Sequence, residues 1–340
     1  METTVQRIFK PKDYASDQEV KWCPGCGDYA ILNAIQKAFS ELQLKKEEVA
    51  IISGIGCSSR FPYYMDTYGF HTIHGRPAAV ATGVKLANPD LSVWVITGDG
   101  DSLAIGGNHF IHAIRRNINL NLILFNNQIY GLTKGQYSPT TERGTITKSS
   151  PFGTVENPFS VGELVLGAQG HFYARVPDTD VKLMTQVMIE AERHKGFAVV
   201  EVLQNCVIFN DRTFADITNK ETKANNQLIL EHGKPMLFGE NNTKGIRLNG
   251  LALEVVALGV NGITEKDILV HDASTESGVL HYMLTQLRLP GFPVAMGVIR
   301  NTDAPVFDED FSAQIKAQQQ STKYASLDDL FLSGNTFQIA

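Results

Sequence analysis

The sequence has no apolar run approaching the ~18 residues that a membrane-spanning helix needs, which argues against a helical membrane protein. Its opening stretch, METTVQRIFKPKDYASDQ, lacks the apolar core of a secretory signal. Basic runs are missing as well. Thirty Lys and Arg stand against 36 Asp and Glu, for a net charge of −6, so nucleic acid is not an expected partner. No internal repeat or low-complexity tract is present. Cysteine is scarce, with four in 340 residues, and this usage suits a cytoplasmic chain whose thiols stay reduced for metal binding or catalysis. A complete dinucleotide fingerprint is also lacking. Gly98-x-Gly100 is followed by Leu103, and Gly54-Ile-Gly56 by Ser59, where a third glycine would be required.

What is there is concentrated between Leu91 and Gln136. Ser92–Thr97 and Leu120–Phe125 are short apolar runs of the kind that form buried parallel strands, and Asn108–Arg116 between them has helical apolar spacing. A right-handed crossover of this type opens the carboxyl ends of both strands into one crevice. The first strand ends in Gly98-Asp99-Gly100-Asp101, the second in Asn126-Asn127-Gln128-Ile129-Tyr130-Gly131. Mg²⁺ prefers a near-octahedral oxygen shell made from one or two carboxylates and substrate phosphates. Asp99, the Asn127 amide and the Ile129 carbonyl would supply three ligands, with water and two phosphate oxygens completing the set. Gly98 and Gly100 are expected to let the backbone turn sharply against a diphosphate. GDG followed by an asparagine pair at the next strand end resembles the Mg-diphosphate motif of thiamine-diphosphate enzymes.

The cysteines form the second constellation. Cys23 and Cys26 lie in WCPGCG, just before a helical pattern over 28–44. Cys57 follows the strand Val49–Ser53 in GIGCSSR, and Cys206 follows the strand Ala198–Leu203. All four can converge at one edge of one sheet. Four thiolates suit a tetrahedral Zn²⁺ or a [4Fe–4S] cluster. The placement of Cys57 and Cys206 beside the cofactor crevice favours an electron carrier. WCPGC has Pro and Gly in the reverse of the thioredoxin order, with no clear strand before it.

The organisation expected is an N-terminal arm over 1–22, a cofactor domain over 23–207, and a C-terminal region over 208–340 whose chemistry the sequence does not reveal. A helix is expected over 77–87. Tyr137–Pro158, rich in Ser, Thr, Gly and Pro, is expected to be a functional loop that covers the site or meets a partner. Further helices are expected over 160–167, 181–194 and 277–287, with strands over 172–176, 251–258 and 294–299.

Taken together, WCPGCG, GIGCSSR, HGR, GDGD and NNQIYGLTKGQ resemble the β subunit of 2-oxoacid:ferredoxin oxidoreductases, from about Lys21 to Cys206. The resemblance implies an α/β fold, a mostly parallel thiamine-diphosphate-binding sheet with helices on both faces, plus a smaller C-terminal extension. It implies a [4Fe–4S] cluster on Cys23, Cys26, Cys57 and Cys206, and Mg²⁺ on Asp99, Asn127 and the Ile129 carbonyl. Thiamine-diphosphate contacts fall on Ile55, Gly56, Cys57, Ser58, His74, Gly100, Asp101, Gly131 and Leu132. The implied reaction is coenzyme A-dependent oxidative decarboxylation of a 2-oxoacid, with electrons passed through the cluster to ferredoxin. No glutamate here can be matched to the one that activates the cofactor. The resemblance assigns that residue to an α subunit, in a heterodimer or an α2β2 assembly, and makes this chain inactive alone.

Arg60 and Lys134 are the cations expected near the substrate, and two cations suit a dicarboxylate, hence 2-oxoglutarate and the product succinyl-CoA. Pyruvate or another 2-oxoacid, and a non-redox thiamine-dependent decarboxylase, are the alternatives. His71, His109 and His112 are expected to be structural.

Overall fold

Val49-Ala-Ile-Ile-Ser53 and Leu120-Asn-Leu-Ile-Leu-Phe-Asn126 are buried at every position, so each must be covered on both faces. That is the condition of an interior parallel strand. The computed structural model describes residues 8–324 and 326–339, so residues 1–7 of the expected arm lie outside the described residues. The strands in chain order are β1 (Val49–Ser53), β2 (Tyr68–His71), β3 (Ser92–Gly98), β4 (Leu120–Asn126), β5 (Phe172–Pro177), β6 (Phe197–Leu203), β7 (Gln227–Leu230), β8 (Leu237–Phe238), β9 (Lys244–Asn249), β10 (Ala252–Ala257) and β11 (Val294–Asn301). Eight form the main sheet in the order β2-β1-β3-β4-β6-β5-β11-β7, and β10-β9-β8 form a small antiparallel sheet. Within the main sheet only the β5–β11 pairing is antiparallel.

Alternation along the strands divides the core in two. Ile51, Trp94, Ile96, Ile123 and Phe125 face helices α1 (Asp28–Leu42) and, further along the sheet, α6 (Val181–Arg193), through Ile35, Phe39 and Met188. Ile52, Val93, Val95, Leu122 and Leu124 face α2 (Pro77–Ala87), α4 (Gly107–Arg116) and α5 (Val161–Gly167), through Ala81, Phe110 and Val165. Between β3 and α4 lies a short helix, α3 (Asp99–Leu103), formed by the GDGD turn itself. The described residues of the arm dock on α1, where the buried Tyr14 hydroxyl donates to the carbonyls of Phe39 and Leu44. No helix among the described residues is long and apolar enough to cross a membrane.

The C-terminal region is more than an appendage. β7 and β11 extend the main sheet beyond β5, and the small sheet packs into the same core through Ile246 and Leu253. The segment 137–158 has no regular strand or helix, as its composition suggests.

A buried ion pair lies in the sheet behind the site. Arg175 on β5 and Glu201 on β6 are register partners, joined at 2.7 Å. Glu201 also accepts from the Tyr173 hydroxyl at 2.5 Å and from Asn126 Nδ2 at 2.7 Å. Burial works against the Glu201 carboxylate, but Arg175 and these donors outweigh it and hold its carboxyl below the usual range. Removing one member of such a pair leaves an uncompensated buried charge. Glu201→Ala is therefore expected to lower unfolding stability by about 3–5 kcal/mol in urea titrations. Glu201→Gln, which still accepts a hydrogen bond, should lose distinctly less.

Candidate active site

Four loops meet where β1, β2, β3 and β4 end. Asp101 ties three of them together. Its Oδ1 accepts from the Ile55 and Gly75 N–H groups at 3.1 and 2.7 Å and lies 2.7 Å from His74 Nδ1, while Oδ2 accepts from the Thr97 hydroxyl at 2.7 Å. Facing a carboxylate, His74 Nδ1 carries a proton, which leaves Nε2 for a ligand. Gly54 must be glycine for space, since a Cβ there would lie 1.8 Å from Asp101 Oδ2. Of the GDG glycines, neither has a positive φ, and only Gly100 is needed for space. Gly98 has φ −88° and ψ 166°, open to any residue, whereas a Cβ on Gly100 would lie 2.1 Å from the Tyr130 ring.

The cavity enclosed by these loops is about 290 Å³. Its wall includes every residue expected to meet thiamine diphosphate or Mg²⁺, from the Ile55–Ser58 turn and His74 to Asp99, Gly100, Asp101, Asn127, Ile129, Gly131 and Leu132. Asp99 is 3% exposed, and besides backbone N–H groups of the turn it meets hydroxyls, with Ser138 and Thr140 each donating to Oδ2 at 2.5 Å. Burial, partly offset by these donors, pushes its carboxyl up to about 6. Among the described residues no cationic side chain pairs with it. A buried carboxylate without a counter-charge beside an amide oxygen and a carbonyl is a donor set that fits Mg²⁺. Asn127 is anchored from behind, its Nδ2 donating to Gln204 Oε1 at 2.8 Å and its carbonyl accepting from Asn210 at 2.9 Å.

The cysteines surround the neighbouring stretch of the wall. A Cβ on Gly131 would lie 3.5 Å from Cys57 Sγ and 3.6 Å from Cys206 Sγ, ordinary contact distances that put this stretch of cavity backbone beside both sulfurs. Cys26 and Cys57 each feel the charge of Cys206, and Cys57 that of Cys23. Burial first, then Asp28 and the other thiolates, push Cys57 up to about 12, and Cys26 is raised by the same causes. Four thiols that repel one another's charge are suited to a cationic centre that holds them deprotonated. None is in a disulfide, and among the described residues no group of three or more His, Cys, Asp or Glu side chains is gathered to hold a single metal ion.

Arg60 and Lys134 are exposed and outside the cavity wall, with Arg60 Nη1 donating to the Lys21 carbonyl at 3.4 Å. His71 is held by Ser53 and the Ser59 carbonyl. Sequence reasoning overlooked several residues. Ser138 and Thr140 sit in the 137–158 loop, whose composition marks it as functional without singling out any of its hydroxyls. Gln204, close to a recognised cysteine, carried no motif. Asp28 is 2% exposed on the cavity wall with Oδ2 unpartnered, and burial and then Asp178 raise its carboxyl to about 7. Its position directly after WCPGCG was the available signal.

Known proteins resemble this chain in both sequence and fold. The family described as thiamine pyrophosphate enzyme, C-terminal TPP binding domain, matches residues 54–202. A protein named 2-oxoglutarate oxidoreductase subunit KorB from Mycobacterium tuberculosis is 49% identical across 94% of this chain and 85% of its own. Subunit beta of 2-oxoacid:ferredoxin oxidoreductase 1 from Aeropyrum pernix is 46% identical across 58% of this chain and 62% of its own. The solved 2-oxoglutarate:ferredoxin oxidoreductase from Magnetococcus marinus, with 2-oxoglutarate, coenzyme A and succinyl-CoA bound, aligns with a TM-score of 0.77 at 32% identity, covering 98% of both chains.

The Asp101 knot generates a direct test. Hydrogen bonds to a charged group contribute about 1.5–3 kcal/mol each. In Asp101→Ala the Ile55 and Gly75 amides should exchange with solvent on the order of ten- to a hundredfold faster, read by hydrogen–deuterium exchange. Amides within β3 and β4 should keep their protection.

Proposed function

This chain belongs to the family of 2-oxoacid:ferredoxin oxidoreductase β subunits, and we propose that it is the β subunit of a 2-oxoglutarate:ferredoxin oxidoreductase. The reaction takes 2-oxoglutarate, coenzyme A and two oxidised ferredoxins to succinyl-CoA, CO₂, a proton and two reduced ferredoxins. The C1–C2 bond of the oxoacid breaks, a thioester forms at C2, and the electron pair leaves one electron at a time. The observation that carries this reading is the shared wall. Asp99, Asn127 and Cys57 line one cavity, and its Gly131 lies close to the Cys57 and Cys206 sulfurs.

Asp99, Asn127 and the Ile129 carbonyl would hold Mg²⁺, the Ile55–Ser58 turn and His74 would meet thiamine diphosphate, and Cys23, Cys26, Cys57 and Cys206 would hold the cluster. When bound, the thiamine cofactor supplies the carbanion chemistry of decarboxylation and the cluster supplies a one-electron exit. The chain's own residues provide the setting. Asp101 fixes the loops, His74 presents Nε2, and the buried Asp99 carboxylate provides the counter-charge. No glutamate lines the cavity, which supports an activating carboxylate on the α subunit. We place the assembly in the cytoplasm, where thiols stay reduced. The domain reading is that residues 23–207 carry both cofactors and 208–340 brace the sheet and its edge.

Purified anaerobically with its α subunit, the enzyme should contain about four irons and four acid-labile sulfides per β chain. It should reduce ferredoxin only when 2-oxoglutarate and coenzyme A are both present, and the β chain alone should be inactive. One zinc without sulfide would sink the redox assignment. If Arg60 receives the distal carboxylate, Arg60→Leu should raise KM for 2-oxoglutarate about ten- to a hundredfold, the loss expected for a charge-assisted hydrogen bond. An unchanged KM removes Arg60 from the substrate site.

A further inference from the structure

Behind the cavity wall, one buried amide touches both constellations. Gln204 directly follows β6 and is 1% exposed. Its Nε2 donates to the Asn205 carbonyl at 2.6 Å and to Cys26 Sγ at 3.2 Å, and its Oε1 accepts from Asn127 Nδ2 at 2.8 Å. A backbone carbonyl can only accept, so the Asn205 contact determines which end of the Gln204 amide is nitrogen. Oε1 must then face Asn127, and Asn127 must turn its NH₂ group towards Oε1. Asn127 Oδ1 is left on the opposite side. There it takes the Ile129 N–H at 3.2 Å and keeps a second lone pair for a cation.

We propose that Gln204 is a positioning residue for both inorganic groups, orienting Asn127 Oδ1 towards Mg²⁺ and donating an N–H to the Cys26 thiolate of the cluster. This rests on the function proposed above. Partners that orient a ligand from behind typically contribute 10–100-fold to metal affinity. An N–H donated to a cluster sulfur stabilises the more negative, reduced state and raises the reduction potential. One amide thus makes a fixed, direct bridge from the diphosphate-bound metal to the electron exit.

Two variants separate the two contacts. Gln204→Glu keeps an oxygen for Asn127 but loses the N–H towards Cys26, and Gln204→Met loses both without adding charge. Each is prepared anaerobically in the two-subunit enzyme, with iron and sulfide counted and the cluster titrated by EPR against solution potential. Mg²⁺ binding in the presence of thiamine diphosphate is read by calorimetry. Both variants should show a more negative midpoint potential than the parent. Mg²⁺ affinity should fall about ten- to a hundredfold in Gln204→Met and stay near parental in Gln204→Glu. A loaded Gln204→Met with parental potential overturns the Cys26 contact, and one with parental Mg²⁺ affinity overturns the Asn127 contact. Loss of the cluster from both variants with the fold intact by circular dichroism would make Gln204 a retention residue and overturn the inference as stated. A parent enzyme without iron and sulfide instead refutes the function on which the inference rests.

Discussion

Parallel strands that end at one level impose the constraint on which this site depends. A parallel pairing fixes the register of its neighbours along its whole length, so β1, β3, β4 and β6 deliver their terminal residues to a common edge. Ser53, Gly98, Asn126 and Leu203 are the last strand residues, and each is followed at once by residues of the site, in a loop after β1, β4 and β6 and in the short helix α3 after β3. Residues far apart in sequence meet here because the hydrogen-bond ladder leaves them nowhere else to be. Buried cores on both faces of the sheet hold the ladder in place.

Within the edge, hydrogen-bond direction does the positioning. Asp101 only accepts, so every group around it must donate, and two loops and a histidine acquire their orientation from a single carboxylate. Glu201 has the same role deeper in the sheet, where Asn126, Tyr173 and Arg175 all point their hydrogens at it. Buried polar networks of this kind tolerate no ambiguity, because an unmatched donor or acceptor there has no water to turn to. Asp28, with one oxygen unpartnered on the cavity wall, stands out against that rule.

What the sequence made legible follows from the same physics. Interior strands were readable because burial on both faces demands continuous apolar runs, and the GDG and NN signatures were readable because they directly follow such runs. β2 was not, since Tyr68-Gly-Phe-His71 is exposed at all four positions and shows no period that marks a strand. β7 and β11 were hard to place for a different reason. Their pairing at the far side of β5 is a long-range choice that no local pattern encodes, although the apolar run of β11 was itself visible. Ser138, Thr140 and Gln204 escaped notice because a buried hydroxyl or amide has the same letter as an exposed one. Only the partner across space distinguishes them.

The mouth of the cavity completes the physical account. Ile73 and Ile105 are 74% and 54% exposed, and Leu132 on the wall is 52% exposed. On the 137–158 segment Phe152 and Val155 are also exposed. An exposed apolar side chain on a cavity wall, as at Leu132, favours coverage by another surface over contact with water. The polar interior, by contrast, has its hydrogen bonds largely made before any partner arrives. The Asp101 carboxylate and the Asn127 amide are thus held by this chain's own donors and acceptors. Groups whose direction matters are fixed by one chain's own ladder and hydrogen bonds, whereas exclusion of water needs only coverage, which exposed apolar side chains can receive from any surface laid over them.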